Sequence, residues 1–131
     1  YYSDSENLDA VIVGSDEVFA LHTGPTPVFF GHACPSDTVF SYAGCFGPTT
    51  VSDIKQKHCV PFVASGLTAM KGVSVRDKNS QNIVKELTGI DAKLVCDPVI
   101  LYGYKKELED LKTVNYSPYL LIYAYDNRMN D

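Results

Sequence analysis

The sequence predicts an α/β fold, a parallel sheet layered between helices, on two observations. Its strand-like segments are continuous apolar runs rather than alternating ones, the pattern of strands buried on both faces. Segments with helical caps and stripes fall between those runs, so strand and helix alternate along the chain. At 131 residues there is chain enough to bury one such core.

Taken in order, Ala10–Val13 reads as the first strand. Ser15 is placed to cap a short helix over Asp16–Leu21, which Thr23, Gly24 and Pro25 then end. Thr38–Ala43 is the second strand. Val51–His58 and Pro61–Met70 read as two short helices, with Pro61 suited to the first turn of the second. Gly72–Val75 is the third strand. Lys78–Thr88 sets Ile83, Val84 and Leu87 on one stripe before Gly89 stops the helix. Leu94–Cys96 and Tyr119–Tyr125 are the remaining strands, and the sum is a Rossmann-like three-layer sheet. Residues 100–118, charged in their middle and closing on Ser117 and Pro118, read as a linker with a solvated helical face.

Composition narrows the function classes. Hydrophobic residues make up 45% and charged residues 21%, ordinary for a globular protein. A net charge of −5 with only two arginines, Arg76 and Arg128, argues against nucleic acid as a partner, since phosphate neutralisation needs a basic face. No apolar run reaches the roughly 20 residues of a membrane helix, and no signal peptide is legible. The four cysteines, Cys34, Cys45, Cys59 and Cys96, lack metal-ligand spacing and read as reduced thiols of a cytoplasmic protein. The chain starts without methionine and stops just after an apolar segment. It therefore reads as part of a longer protein: an N-terminal domain over 1–99, a linker over 100–118, and the first strand of a second domain over 119–131.

Open parallel sheets bind ligands beyond the carboxyl ends of their strands. Those positions carry Gly14, Ser15, Asp16 and Glu17, then Gly44, Cys45, Phe46 and Gly47, then Arg76 and Asp77, then Asp97 and Pro98. Glycines, one arginine and several carboxylates are thus expected on one edge.

In order and spacing these segments resemble the polysaccharide pyruvyl transferase family. The matching stretches are DAVIVGSDEVF (9–19), FSYAGCFG (40–47), GVSVRDKNS (72–80), VCDPVILY (95–102) and YLLIYAY (119–125). Phe19 stands where the family often has tryptophan, Cys45 where it often has serine, and Asp77 where glutamate is frequent; these departures bear on the acceptor preference. The resemblance implies a GT-B-like pair of Rossmann-like domains, this chain supplying most of the first. It implies transfer of a pyruvyl group from phosphoenolpyruvate, a substrate rather than a cofactor, to a hydroxyl of a sugar or glycan. No metal or cofactor is implied, and the second domain would complete the donor site.

Residue roles follow from the chemistry of that donor. Phosphoenolpyruvate carries a carboxylate and a phosphate, and Arg76 can grip either with two parallel hydrogen bonds. Adding a hydroxyl to its enol carbon needs a base at the oxygen and an acid at the methylene carbon, and Asp16 is the candidate for either role. Gly14 lets a ligand approach the backbone, Ser15 fixes the turn, and Gly44 and Cys45 line the neighbouring loop with Gly47. Tyr42 and Asp97 read as structural, Glu17 as a first-turn acid, and His22, His32 and His58 receive no catalytic role. Two rivals stand beside this reading: a GT-B glycosyltransferase using a nucleotide sugar, and a non-catalytic ligand-binding module. In the module Arg76 and Asp16 would point away from one another or be buried in separate structural pairs, Arg76 with Asp77 or Asp97.

Overall fold

The computed structural model of the chain describes residues 8–22, 24–109, 111 and 117–120. Strands Val11–Gly14 (β1), Val39–Gly44 (β2), Gly72–Val75 (β3) and Lys93–Leu94 (β4) form one sheet in the order β1-β2-β3-β4. Every neighbouring pair is parallel. All four strands therefore end on the same edge, the edge where the sequence concentrates its polar and glycine residues.

Helices Val51–Gln56 (α1) and Val60–Ala69 (α2) connect β2 to β3, and Lys78–Thr88 (α3) connects β3 to β4. Because strand order follows chain order and crossovers are right-handed, successive connections fall on one face of the sheet. The core bears this out. Val13, Val39 and Val75 from the strands meet Ile54, Val63, Leu67, Ile83 and Val84 from the helices in one cluster. On the opposite face Ile12 and its register partner Phe40 are 68% and 38% exposed. Two further short helices, Pro98–Tyr102 (α4) and Lys105–Glu109 (α5), bury no residue. Among the described residues the expected three layers thus reduce to a sheet with one packed helical layer. The strand expected over Tyr119–Tyr125 lies mostly outside the described residues.

Local chemistry accounts for the helix ends. Thr50 and Asp53 cap α1 reciprocally, side chain to backbone in both directions. Pro61 sits in the first turn of α2, where its missing N–H costs nothing. Asp77 caps α3, and Gly89 closes it in the left-handed region at φ 75°. Gly66 lets α2 lie directly on a 3₁₀ turn, Pro27–Phe30, that periodicity does not reveal: a Cβ there would meet the Phe30 carbonyl oxygen at 2.2 Å.

One expected element is absent. No helix runs over Asp16–Leu21, and Ser15 has no helix to cap. Asp16 takes φ 63°, outside the right-handed helical region. The backbone groups of the segment are committed elsewhere: Cys45 N–H donates to the Asp16 carbonyl at 3.1 Å, and Phe19 N–H to the Cys45 carbonyl at 3.0 Å. The loop after β1 is thereby zipped to the loop after β2, while Phe19, Ala20 and Leu21 turn into the core.

At the end of β2 the pairing with β3 slips between Ser41 and Gly44, and Ala43 adopts φ 54°. Ser41 and Ser74 repair the ladder. The Ser41 hydroxyl donates to the Ser74 carbonyl and accepts from the Ser74 N–H, while the Ser74 hydroxyl donates to the Ser41 carbonyl and accepts from the Ala43 N–H, all within 2.9–3.2 Å. The bulge bends the strand end and re-aims the Gly44–Gly47 loop.

Candidate functional site

Three side chains from three strand ends converge. Asp16 follows β1, Arg76 follows β3 and Asp97 follows β4. Arg76 Nη1 donates to Asp97 Oδ2 at 2.8 Å, and Nη2 donates to Asp16 Oδ1 at 3.2 Å. The two contacts are unequal. Asp97 is 23% exposed and its second oxygen also accepts the Val99 N–H at 3.0 Å, so it is held on both sides. Asp16 is 87% exposed, and among the described residues no other side-chain bond restrains it. The Val99 N–H and then Arg76 keep the Asp97 carboxyl below the usual carboxylate range. For Arg76, partial burial works against the charge, but Asp97, Cys45 and Asp16 outweigh it and raise the guanidinium further. Arg76 and Asp16 do not point apart, and Arg76 also makes the partly buried pair with Asp97 that a structural role would give it.

The β2 loop lies against this cluster. Cys45 is buried and its sulfur accepts the Gly47 N–H at 3.1 Å. Burial pushes the Cys45 thiol up and Asp77 adds to that, while the Gly47 N–H and Arg76 oppose it without reversing it. A raised thiol pKa disfavours the thiolate form at Cys45. Asp77 is tied to α3: it accepts from the Ser80 N–H at 2.8 Å and hydroxyl at 2.6 Å, and the Ser80 oxygen accepts the Phe46 N–H at 2.9 Å. That relay fixes the loop to α3.

Partial burial raises the Asp77 carboxyl, but the two Ser80 bonds, Cys45 and Arg76 together bring it below its ordinary value. A folded value below the unfolded one means that the carboxylate adds stability above about pH 4, the unfolded range, and that this is lost as pH falls through the folded value. Asp77→Ala is expected to cost about 1 kcal/mol at neutral pH, the worth of a helix cap. The deficit should shrink at pH 3, which urea unfolding at the two pH values would measure.

The other residues singled out by sequence divide between ligand edge and scaffold. A Cβ at Gly14 would meet only the Tyr42 carbonyl oxygen at 3.9 Å, so the position is open on the ligand side. Ser15 is half-buried in the turn. Gly44 instead serves packing, since a Cβ there would lie 2.4 Å from the Phe19 ring. Gly47, at φ 55°, has the Glu17 carboxylate laid over it, 2.6 Å from where a Cβ would be. Tyr42 donates to the Cys96 carbonyl at 3.3 Å and ties β2 to the loop that carries Asp97.

A cleft of about 380 Å³ adjoins the cluster, lined by Asp16, Glu17, His22, Thr26 and Phe29 among others. His22 and Thr26 carry no signal in the sequence; a loop without periodicity brings them to the two carboxylates. Among the described residues no group of three or more His, Cys, Asp or Glu side chains is gathered to hold a metal, and all four cysteines are free thiols. No helix among the described residues is long and apolar enough to cross a membrane.

The family model for polysaccharide pyruvyl transferase matches residues 1–130. No curated protein and no solved structure matches the chain. With the match running over essentially the whole length, and Asp16, Arg76 and Asp97 from three of the quoted segments meeting beyond the ends of a parallel sheet, the chain belongs to the polysaccharide pyruvyl transferase family.

Proposed function

We propose that this edge is the donor side of a site that moves a pyruvyl group from phosphoenolpyruvate to a sugar hydroxyl, in the cytoplasm, on a glycan precursor. The supporting observation is the unequal loading of Arg76. Its guanidinium is shared by one anchored carboxylate, Asp97, and one exposed carboxylate at the longer distance, Asp16. An arriving carboxylate or phosphate can take the place of Asp16 on Nη2 while Asp97 keeps the plane of the fork fixed. Asp16, released beside the bound donor, is then the base. It accepts the proton of the acceptor hydroxyl as that oxygen bonds to the enol carbon of the donor. The methylene carbon gains a proton from an acid outside this cluster. Phosphate leaves with the C–O bonding pair, and a second hydroxyl attacks the same carbon to close a cyclic ketal, its proton restoring the acid while the proton held by Asp16 passes to the released phosphate. On this reading residues 1–99 are the first domain of a GT-B-like enzyme, and the second domain supplies the remaining cations of the donor site.

The test is phosphate release by the full-length protein from phosphoenolpyruvate in the presence of candidate glycans. Acceptor-dependent release is expected, and Asp16→Asn should lower kcat roughly 100-fold or more, the usual worth of a general base. Release that ignores both Asp16→Asn and Arg76→Lys would remove these roles. Turnover of a nucleotide sugar in place of phosphoenolpyruvate would favour the glycosyltransferase alternative.

A further inference from the structure

We propose that the cleft between Asp16 and Phe29 is the acceptor subsite, and that it is built for an uncharged sugar ring and against an acidic one. The proposal rests on the function proposed above, because the role of Asp16 fixes where the acceptor must lie. A base has to touch the hydroxyl it deprotonates while the donor carbon sits within bonding reach. Asp16 meets both conditions by position: one carboxylate oxygen reaches Arg76, and the same side chain lines the cleft. Three other concavities, beside Gly31, Pro48 and Gly72, include neither Asp16 nor Arg76.

The lining suits a sugar. Glu17 lies over Gly47, and its carboxylate can accept from ring hydroxyls. The Thr26 hydroxyl and the His22 ring add groups that donate and accept. Phe29 is 39% exposed in the wall and offers an apolar ring to the C–H face of a pyranose. A few directed polar groups around an aromatic surface is the usual composition of a small-ligand site. Its charge selects further. Among the described residues the lining contains two carboxylates and no lysine or arginine, and an anionic donor would stand next to it. An acidic sugar placed there faces like charge on two sides.

The test is saturation-transfer NMR on the full-length protein with matched probes: the methyl β-glycosides of glucose and galactose, and those of glucuronic and galacturonic acid. At least one neutral glycoside is expected to receive saturation and to shift the Phe29 ring resonances, and its uronic counterpart to bind more weakly. Phe29→Ala should raise the Kd of the neutral glycoside about 2- to 10-fold, with Phe29→Tyr restoring it. Glu17→Gln should narrow the gap between neutral and acidic probes by about 2- to 5-fold. Saturation from no neutral probe, equal binding of acidic probes, or a Kd indifferent to Phe29→Ala would each overturn the proposal. Sugar binding is read without donor. Binding at Phe29 with no turnover of phosphoenolpyruvate would sink the donor reading and leave the cleft standing, and turnover without contact at Phe29 would do the reverse.

Discussion

Arg76→Lys is expected to lower kcat/KM for phosphoenolpyruvate roughly 10- to 150-fold, the loss of one charge-assisted hydrogen bond worth about 1.5–3 kcal/mol. The size follows from geometry. Arginine addresses two carboxylates at once, through Nη1 at 2.8 Å and Nη2 at 3.2 Å. An ammonium is one point charge on a flexible stem and cannot hold Asp97 and present a planar fork to a ligand as well. Folding should survive, because these ion pairs are partly exposed and contribute no more than about 1 kcal/mol. Phosphate-release kinetics beside a thermal melt would separate the two effects. A rise in KM for phosphoenolpyruvate at an unchanged melting temperature is the expected pair of results. Unchanged kinetics would take Arg76 out of the site.

That Arg76 and Asp16 meet was legible before any coordinates, because the inference needs only strand ends and a parallel sheet. Continuous apolar runs gave the first three strands, while the fourth, expected over Leu94–Cys96, is the short exposed Lys93–Leu94; parallel pairing then forces their following residues onto one edge. Helix α3 was legible for a local reason as well: cap, stripe and stop all lie inside Asp77–Gly89. The segment after β1 was not. Ser15, Asp16 and Glu17 after a glycine carry the same local signal as a helix start, and the outcome was decided by the Cys45 backbone, nearly thirty residues away in sequence. Long-range competition of this kind overrides propensity. The Ser41–Ser74 exchange was hidden for a related reason, since a bulge is set by two strands together and leaves no mark on either alone. Asp97 was read as structural from its following proline. It does cap α4, and it also holds Arg76, a double use that no single-residue signal announces.

Phe19→Ala is expected to cost about 3–5 kcal/mol, a large share of the roughly 5–15 kcal/mol that holds a domain of this size. Phe19 is fully buried, its ring 5.3 Å from that of Phe30 and 5.2 Å from that of Phe46, and it lies against Gly44, which has no side chain to move into the space left behind. Phe19 is a core residue and is not among the residues lining the cleft beside Asp16. Gly44 makes the reasoning testable at the level of one contact. Gly44→Ala puts a Cβ 2.4 Å from the intact ring and should destabilise the protein through overpacking by about 1–3 kcal/mol. In a Phe19→Ala background the same methyl enters the vacated space, and its cost should fall or change sign. A double-mutant cycle by urea unfolding, with a coupling above about 0.5 kcal/mol, is the expected result; strict additivity would mean the ring does not rest on Gly44 in solution. Activity should follow stability in this series, because Phe19 is bonded through its N–H to Cys45 and stands three residues from Asp16. A loosened ring frees the junction that sets the proposed base opposite Arg76.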